Sequence, residues 1–295
     1  MSKPSSTIDQ TRICLGPKFS DTKKLGARSW SLEAVDTCPG SFLSKEERAD
    51  RPDKHLLVDT CHVCYARSGN YRRPSVKTPR EHNREDWKRE EWVEEMVQLL
   101  WKEHNKSATD QLYFRWFDSG DMYALPLACK IHEVIARTPW CEHWLPTRMH
   151  KFKKFHEILN ELDDLPNCYL KTSGDSVMGE FDQIAGLLFT QTTIIPDVEL
   201  YKQDVSHDGA DEDKRHAREM VAQSIQNHVS SEGFSICPAY KQGGMCLGCR
   251  TCWTDADVAY VAHGASSRRL CTQKIDAILG EQTTIIPDID AILGE

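Results

Sequence analysis

No run of apolar residues in this 295-residue chain approaches the roughly 20 that a helix needs to cross a bilayer, so no membrane partner is expected. The opening Met-Ser-Lys-Pro-Ser-Ser lacks the apolar core of a secretory signal, and a cytoplasmic protein is the expectation. A glycine-rich phosphate loop, a His-Glu-x-x-His helix and a Gly-x-Ser-x-Gly elbow are also missing, which removes the usual signatures of nucleotide triphosphatases and hydrolases. Positive charge is short as well. Lys and Arg total 37 against 45 Asp and Glu, and a net charge of -8 argues against indiscriminate binding to nucleic acid.

What the chain has in quantity is cysteine, 12 in all. A disulfide scaffold suits a short secreted chain, whereas this one is long and clusters its thiols, so the cysteines point to metal in a reducing compartment. Four of them share one stretch: Cys237 comes first, and Cys246, Cys249 and Cys252 follow at every third position, ahead of Trp253. Zinc and iron-sulfur clusters both take deprotonated thiolates. Zinc usually uses two separated C-x2-C knuckles, while overlapping C-x2-C-x2-C lets a loop cap several corners of a cubane. Iron-sulfur is therefore favoured, with zinc as the alternative. Gly243, Gly244 and Gly248 suit either, because a loop curling round a metal needs close backbone approach.

Cys38, Cys61 and Cys64 form a second group with three obvious ligands. Three thiolates leave one iron of a cluster open, and open positions are where metal centres do chemistry. The alternative is a zinc knuckle completed by His55 or His62. Cys14, Cys129, Cys141, Cys168 and Cys271 stand alone and read as small buried apolar residues. Trp87, Trp92 and Trp101 lie on or near one helix and read as core.

Strands and helices alternate through the middle of the chain. A strand over 29–37 delivers Cys38, and Trp92, Val93, Met96, Leu99 and Leu100 recur at helical spacing within 86–104. The aromatic run 112–117 predicts a strand leading into Asp118-Ser119-Gly120-Asp121. A helix over 125–137, a strand over 143–147, a helix over 150–162, a strand over 168–172 and a segment over 187–195 follow. Such alternation implies parallel βαβ units, hence an α/β fold. Ligands in those folds gather at the carboxyl ends of strands, which marks 118–121, Thr147 with Arg148, and 171–175. The 118–121 stretch also reads as a plain strand-to-helix turn capped by Ser119 or Asp121.

By this reading residues 1–30 are an N-terminal arm, 31–207 the core with the three-cysteine site, and 208–270 a helix plus the four-cysteine module. Arg67, Arg72, Arg73, Lys77 and Arg80 follow the cysteine pair with no acidic residue between them, as a nucleic-acid contact or a solvated loop. Gln191-Thr-Thr-Ile-Ile-Pro-Asp197 reappears at 282–288, and the heptapeptide 275–281 recurs at 289–295. Two copies do not build a solenoid, and 271–295 is set aside as a duplicated tail outside the fold.

Taken together, Thr37-Cys38-Pro39-Gly40, Cys61-x2-Cys64-Tyr65-Ala66 with Gly69-x-Tyr71, Arg115-x2-Asp118-Ser119-Gly120-Asp121, and Cys237-Pro238 with Cys246-x2-Cys249-x2-Cys252-Trp253 resemble the bacteriophage and actinobacterial gene product eighty-eight proteins over about 25–265. That family looks like a relative of the radical S-adenosylmethionine enzymes, which use a partial (β/α) barrel and a 4Fe-4S cluster whose open iron chelates adenosylmethionine. The resemblance implies that Cys38, Cys61 and Cys64 hold such a cluster and that Tyr65 shields it. It also implies that Ser119, Gly120 and Asp121 receive the methionine ammonium and that Cys237, Cys246, Cys249 and Cys252 hold an auxiliary cluster. An electron donor as partner and an infected or prophage-bearing bacterial cytoplasm as location follow from it. The competing expectation is a non-enzymatic metal-binding protein with a regulatory or nucleic-acid role.

Overall fold

The computed structural model describes residues 16–49, 56–107, 110–181, 187, 189–202 and 212–285, with 281–285 as backbone alone. In chain order the elements are β1 (Phe19–Thr22), β2 (Ala27–Trp30), α1 (Lys45–Ala49), α2 (Asp59–His62), α3 (Pro74–Asp86), α4 (Trp92–His104), β3 (Leu112–Trp116), α5 (Leu125–Ala136), β4 (Cys141–Thr147), α6 (His156–Asp163), β5 (Cys168–Ser173), β6 (Thr190–Ile195), α7 (Val198–Lys202), α8 (Glu212–Ser231), β7 (Ser235–Ile236), β8 (Val258–Val261) and α9 (Ala265–Ile285). They make a mixed α/β fold in two compact units, Met1–Pro39 with Gly69–Leu170 and Gly40–Ser68 with Lys171–Glu295. The linear division into 31–207 and 208–270 is not the one the contacts draw: 40–68 joins the C-terminal half.

The first unit orders its strands β1-β2-β3-β4. β1 and β2 are an antiparallel hairpin, and β2, β3 and β4 run parallel, with Trp30 opposite Trp116 and Leu112 opposite Cys141. The hairpin corrects the expectation of an irregular arm over 1–30, since 19–22 and 27–30 are strands, and the strand expected over 29–37 ends at Trp30, with 31–38 a loop; four-residue strands fall below the length at which alternation is legible. Phe114 and Trp116 point inward from β3 and pack on each other, and Trp116 meets Trp30 and Trp92, all four fully buried. Trp30 lies 5.4 Å from Trp92 and 5.9 Å from Trp116, edge to face in both cases. Trp87 is buried as expected, whereas Trp101 is half exposed.

Two helices show opposite ways of facing a core. α5 begins with a proline in its first turn, where no donor is lost, and buries Leu127, Ala128, Ile131, Val134 and Ile135 at helical spacing. α3 also opens on proline, but its buried residues are Arg80, Asn83 and Asp86, every third position. A helix whose inner stripe is polar leaves no apolar period to read. The helix expected over 150–162 begins at His156, after two 3-10 turns at Met149–Lys151 and Lys153–Phe155.

In the second unit the latter half of β5 pairs parallel with β6, β6 with β8 and β8 with β7. Among the described residues no pairing closes either set of strands into a barrel. Ile195, Val229, Phe234, Ala259 and Val261 form one core cluster, and Val198, Tyr201, Ala222 and Ile275 another. Ile275 and Cys271 are almost wholly buried, and Arg218 of α8 grips Asp276 through two 2.7 Å hydrogen bonds. Residues 271–279, expected outside the fold, are therefore part of it, because α9 supplies an apolar face that the second unit needs. The heptapeptide of 191–197 is largely strand β6, while 282–285 continue α9; residues 286–295 lie outside the described residues. No helix among the described residues is long and apolar enough to cross a membrane.

Candidate site at the strand ends and the cysteine loop

In the first unit the parallel strands β2, β3 and β4 end side by side, and their exits build a polar network. Phe117 N donates to Trp30 O at 2.8 Å, in the left-handed conformation at φ 55°, and turns the chain into Asp118. Asp118 accepts from Tyr71 Oη at 2.5 Å, Arg80 Nη2 at 3.1 Å and Arg115 Nη1 at 3.1 Å. Ser119 Oγ donates to Leu32 O at 2.6 Å and accepts from Arg80 Nε at 2.7 Å. Gly120 sits at φ +83°, where a Cβ would lie 2.5 Å from Leu32 Cβ and 2.8 Å from Thr37 Oγ1. The glycine thus admits the protein's own 31–38 loop.

Asp121 is buried at the centre of this edge. Its carboxylate accepts from Thr147 Oγ1 at 2.7 Å, Met122 N at 2.8 Å and Arg148 N at 2.8 Å. Burial pushes its pKa above the ordinary carboxylate value, against the pull of those three bonds. Of the three residues expected to receive an ammonium group, Asp121 alone presents a charge.

The 31–38 loop carries Cys38 to the same edge. Thr37, fully buried, donates to Glu33 O at 2.6 Å, and Cys38 N donates to Val35 O at 3.0 Å. Val35 adopts φ 73°, a strained choice for a β-branched residue that its surroundings must impose. Thr37, next to Cys38, and Gly120 of the 118–121 turn, far apart in sequence, therefore meet in one unit.

Cys61 and Cys64 belong to the second unit. Thr60 N donates to Asp175 O at 3.0 Å and Thr60 Oγ1 to Gly174 O at 3.3 Å, which docks α2 on the loop leaving β5. Lys274 of α9 pairs with Asp59 at 2.6 Å, and Val63 packs on Val177, Ala262 and Cys271. Cys61 is buried, Cys64 is partly so, and Tyr65 is half exposed.

The four-cysteine stretch lies wholly within the second unit and is tied at both ends. Cys237 N donates to Ala259 O at 2.8 Å, extending the β7–β8 pairing. Beyond Cys252, the carbonyls of Thr254 and Ala256 accept from Lys171 Nζ at 2.7 and 2.8 Å. Between them the chain turns through left-handed conformations at Gly243, Gly244, Leu247 and Gly248. Burial pushes the Cys237 thiol up; the Ala239 N–H pulls it down, and Cys246 and Cys249 add to the rise. Cys249 Sγ lies 3.2 Å from Thr251 Oγ1 and Cys252 Sγ 3.3 Å from Tyr260 Oη.

The donor chemistry fits a soft metal, whereas the side chains as they stand are not drawn to one point. Among the described residues no three of His, Cys, Asp and Glu form a group that could hold a metal ion. None of the 11 described cysteines is in a disulfide; Cys141, Cys168 and Cys271 are buried, as expected of solitary thiols, whereas Cys129 is exposed on α5 and corrects that expectation, and Cys14 lies outside the described residues. Burial pushes the thiol pKa of Cys141 and Cys168 above the ordinary value.

Arg80 leaves the proposed nucleic-acid patch. It is buried, and its guanidinium is spent on Asp118, Ser119 and Val76 O, so it is a strut of the strand-end network. Lys77 pairs with Glu81 at 3.0 Å; Arg67, Arg72 and Arg73 are exposed. Lys171, marked only as a strand-end position, proves to be a fully buried anchor of the cysteine loop. Its signal was a lysine inside the otherwise apolar start of β5.

A sequence model of the family described as Gene product 88 matches residues 7–255. No curated protein and no solved structure matches the chain.

Proposed function

The chain belongs to the Gene product 88 family, and on that premise we propose that it is a metal-thiolate protein of the iron-sulfur kind. The observation that carries this is the loop holding Cys237, Cys246, Cys249 and Cys252, pinned by Ala259 at one end and by Lys171 at the other. A loop held in that way loses little further entropy when four thiolates close on a metal. Cys249 and Cys252 would have to leave Thr251 and Tyr260 by side-chain rotation, a change available to a staggered χ1.

The finer proposal is a second, three-cysteine cluster on Cys38, Cys61 and Cys64, with adenosylmethionine as co-substrate in a partial-barrel setting. Two local observations support it: Thr37, next to Cys38, lies against Gly120 in the turn that carries Asp121, and Thr60, next to Cys61, is hydrogen-bonded to the loop after β5. Bound there, the cluster would supply an electron to the sulfonium. Within that scheme Asp121 is the residue placed to accept an ammonium group, and Ser119 and Gly120 hold its turn in shape.

Anaerobic purification followed by iron and sulfide analysis, and then reduction with adenosylmethionine, tests both layers. Iron with equimolar sulfide supports the cluster; zinc without iron overturns it. Release of 5'-deoxyadenosine supports the finer layer, and iron without that product removes it alone. Cys64→Ala and Cys249→Ala should each lose part of the iron, and total loss from both would contradict two separate centres.

A further inference from the structure

Lys171 is the only lysine among the fully buried side chains described, and it stands inside β5. An ammonium so placed costs several kcal/mol unless each of its three donors is met. Here they meet Thr190 Oγ1 at 3.1 Å, Thr254 O at 2.7 Å and Ala256 O at 2.8 Å. Two of the three acceptors are carbonyls of the short segment that leaves Cys252. Trp253, buried, lies between that cysteine and the first of them.

Cys252 Sγ lies 3.3 Å from Tyr260 Oη of β8, and the segment that leaves this cysteine is the one whose carbonyls Lys171 holds. The position of Cys252 is decided by the segment that follows it, since the peptide planes from 252 to 256 leave few torsions free once two carbonyls are fixed.

We propose that Lys171 is a positioning residue for Cys252, holding the 253–256 segment so that the fourth thiolate can join a metal bound by Cys237, Cys246 and Cys249. This rests on the metal-thiolate function above. The ammonium would also oppose the surplus negative charge of a metal centre carrying four thiolates, a service that begins only on loading.

The test uses cobalt(II) as the probe metal on the full-length protein with its other cysteines intact. Thiolate-to-cobalt charge-transfer absorption reports how many sulfurs are bound, and Cys252→Ser supplies the three-thiolate reference. Lys171→Met should bind cobalt about tenfold more weakly, within the range for residues that support metal ligands. Its spectrum should match that of Cys252→Ser, and adding Cys252→Ser to it should cost nothing more. Should Lys171→Met fail to fold, Thr190→Val removes one acceptor and keeps the charge, and should show a smaller shift in the same direction.

A wild-type charge-transfer spectrum in Lys171→Met and Thr190→Val, or full additivity in the double variant, overturns the assignment of Lys171 alone. Absence of any charge-transfer band in the wild-type protein overturns the metal-thiolate function and this assignment together.

Discussion

Acidification should destabilise the first unit through one histidine. His143 is fully buried on β4, stacked on Trp116 with ring centroids 6.1 Å apart. The Trp116 indole can only donate, so its 3.2 Å bond makes His143 Nδ1 an acceptor and leaves the proton on Nε2. That proton goes to Thr138 Oγ1 at 2.8 Å, whose own hydrogen bonds Val134 O at 2.8 Å. Protonating the ring would set a new N–H against the indole N–H inside the core. Burial accordingly pushes the pKa from 6.5 down to about 3.

For a base depressed in the folded state, the unfolded chain takes the proton first. Stability is therefore full above pH 6.5 and falls as the pH drops toward about 3. At about 1.4 kcal/mol per unit, the whole window is worth about 5 kcal/mol, and roughly 2 kcal/mol is lost by about pH 5. Urea unfolding followed by tryptophan fluorescence at several pH values between 7.5 and 4 measures this. His143→Gln keeps an amide donor near Thr138 without a titratable group, and its stability should fall less steeply by that amount. Parallel slopes in the two proteins, or a His143 proton titrating near 6.5 by NMR, would refute the mechanism.

Two more outcomes follow from the same unit. Gly120→Ala combines a positive φ with a Cβ inside contact distance of Leu32 and Thr37, so it should cost about 2–5 kcal/mol in urea unfolding; a neutral result would mean that the 31–38 loop yields freely. Arg80→Met strips a buried partner from Asp118 and should cost about 3 kcal/mol in the same assay, while Lys88→Ala, from the exposed Lys88–Glu85 pair, should change nothing measurable. Equal effects from those two variants would contradict the buried role of Arg80.

Strong periodicity was legible. The stripe of α4, the inward Phe114 and Trp116 of β3 and the core of α5 follow from apolar spacing that only a helix or a strand can bury. Helix α3 was not, because its buried stripe is Arg80, Asn83 and Asp86, and a polar stripe carries no hydrophobic signal. The basic run looked like a surface for the same reason: a guanidinium is hidden only when a carboxylate is brought to meet it, and Asp118 arrives from a distant strand.

The residue order by itself determined that seven of the twelve cysteines would fall in two groups, that strands and helices would alternate, and that acidic and glycine residues would fall at the strand ends. These are local properties of spacing and composition. Only the tertiary structure decided that Gly120 makes room for Leu32 and Thr37, that Lys171 clamps the chain beyond Cys252, and that 271–279 belongs to the core. Each of these depends on groups remote in sequence meeting at hydrogen-bond or van der Waals distance, and such contacts leave no period in the chain.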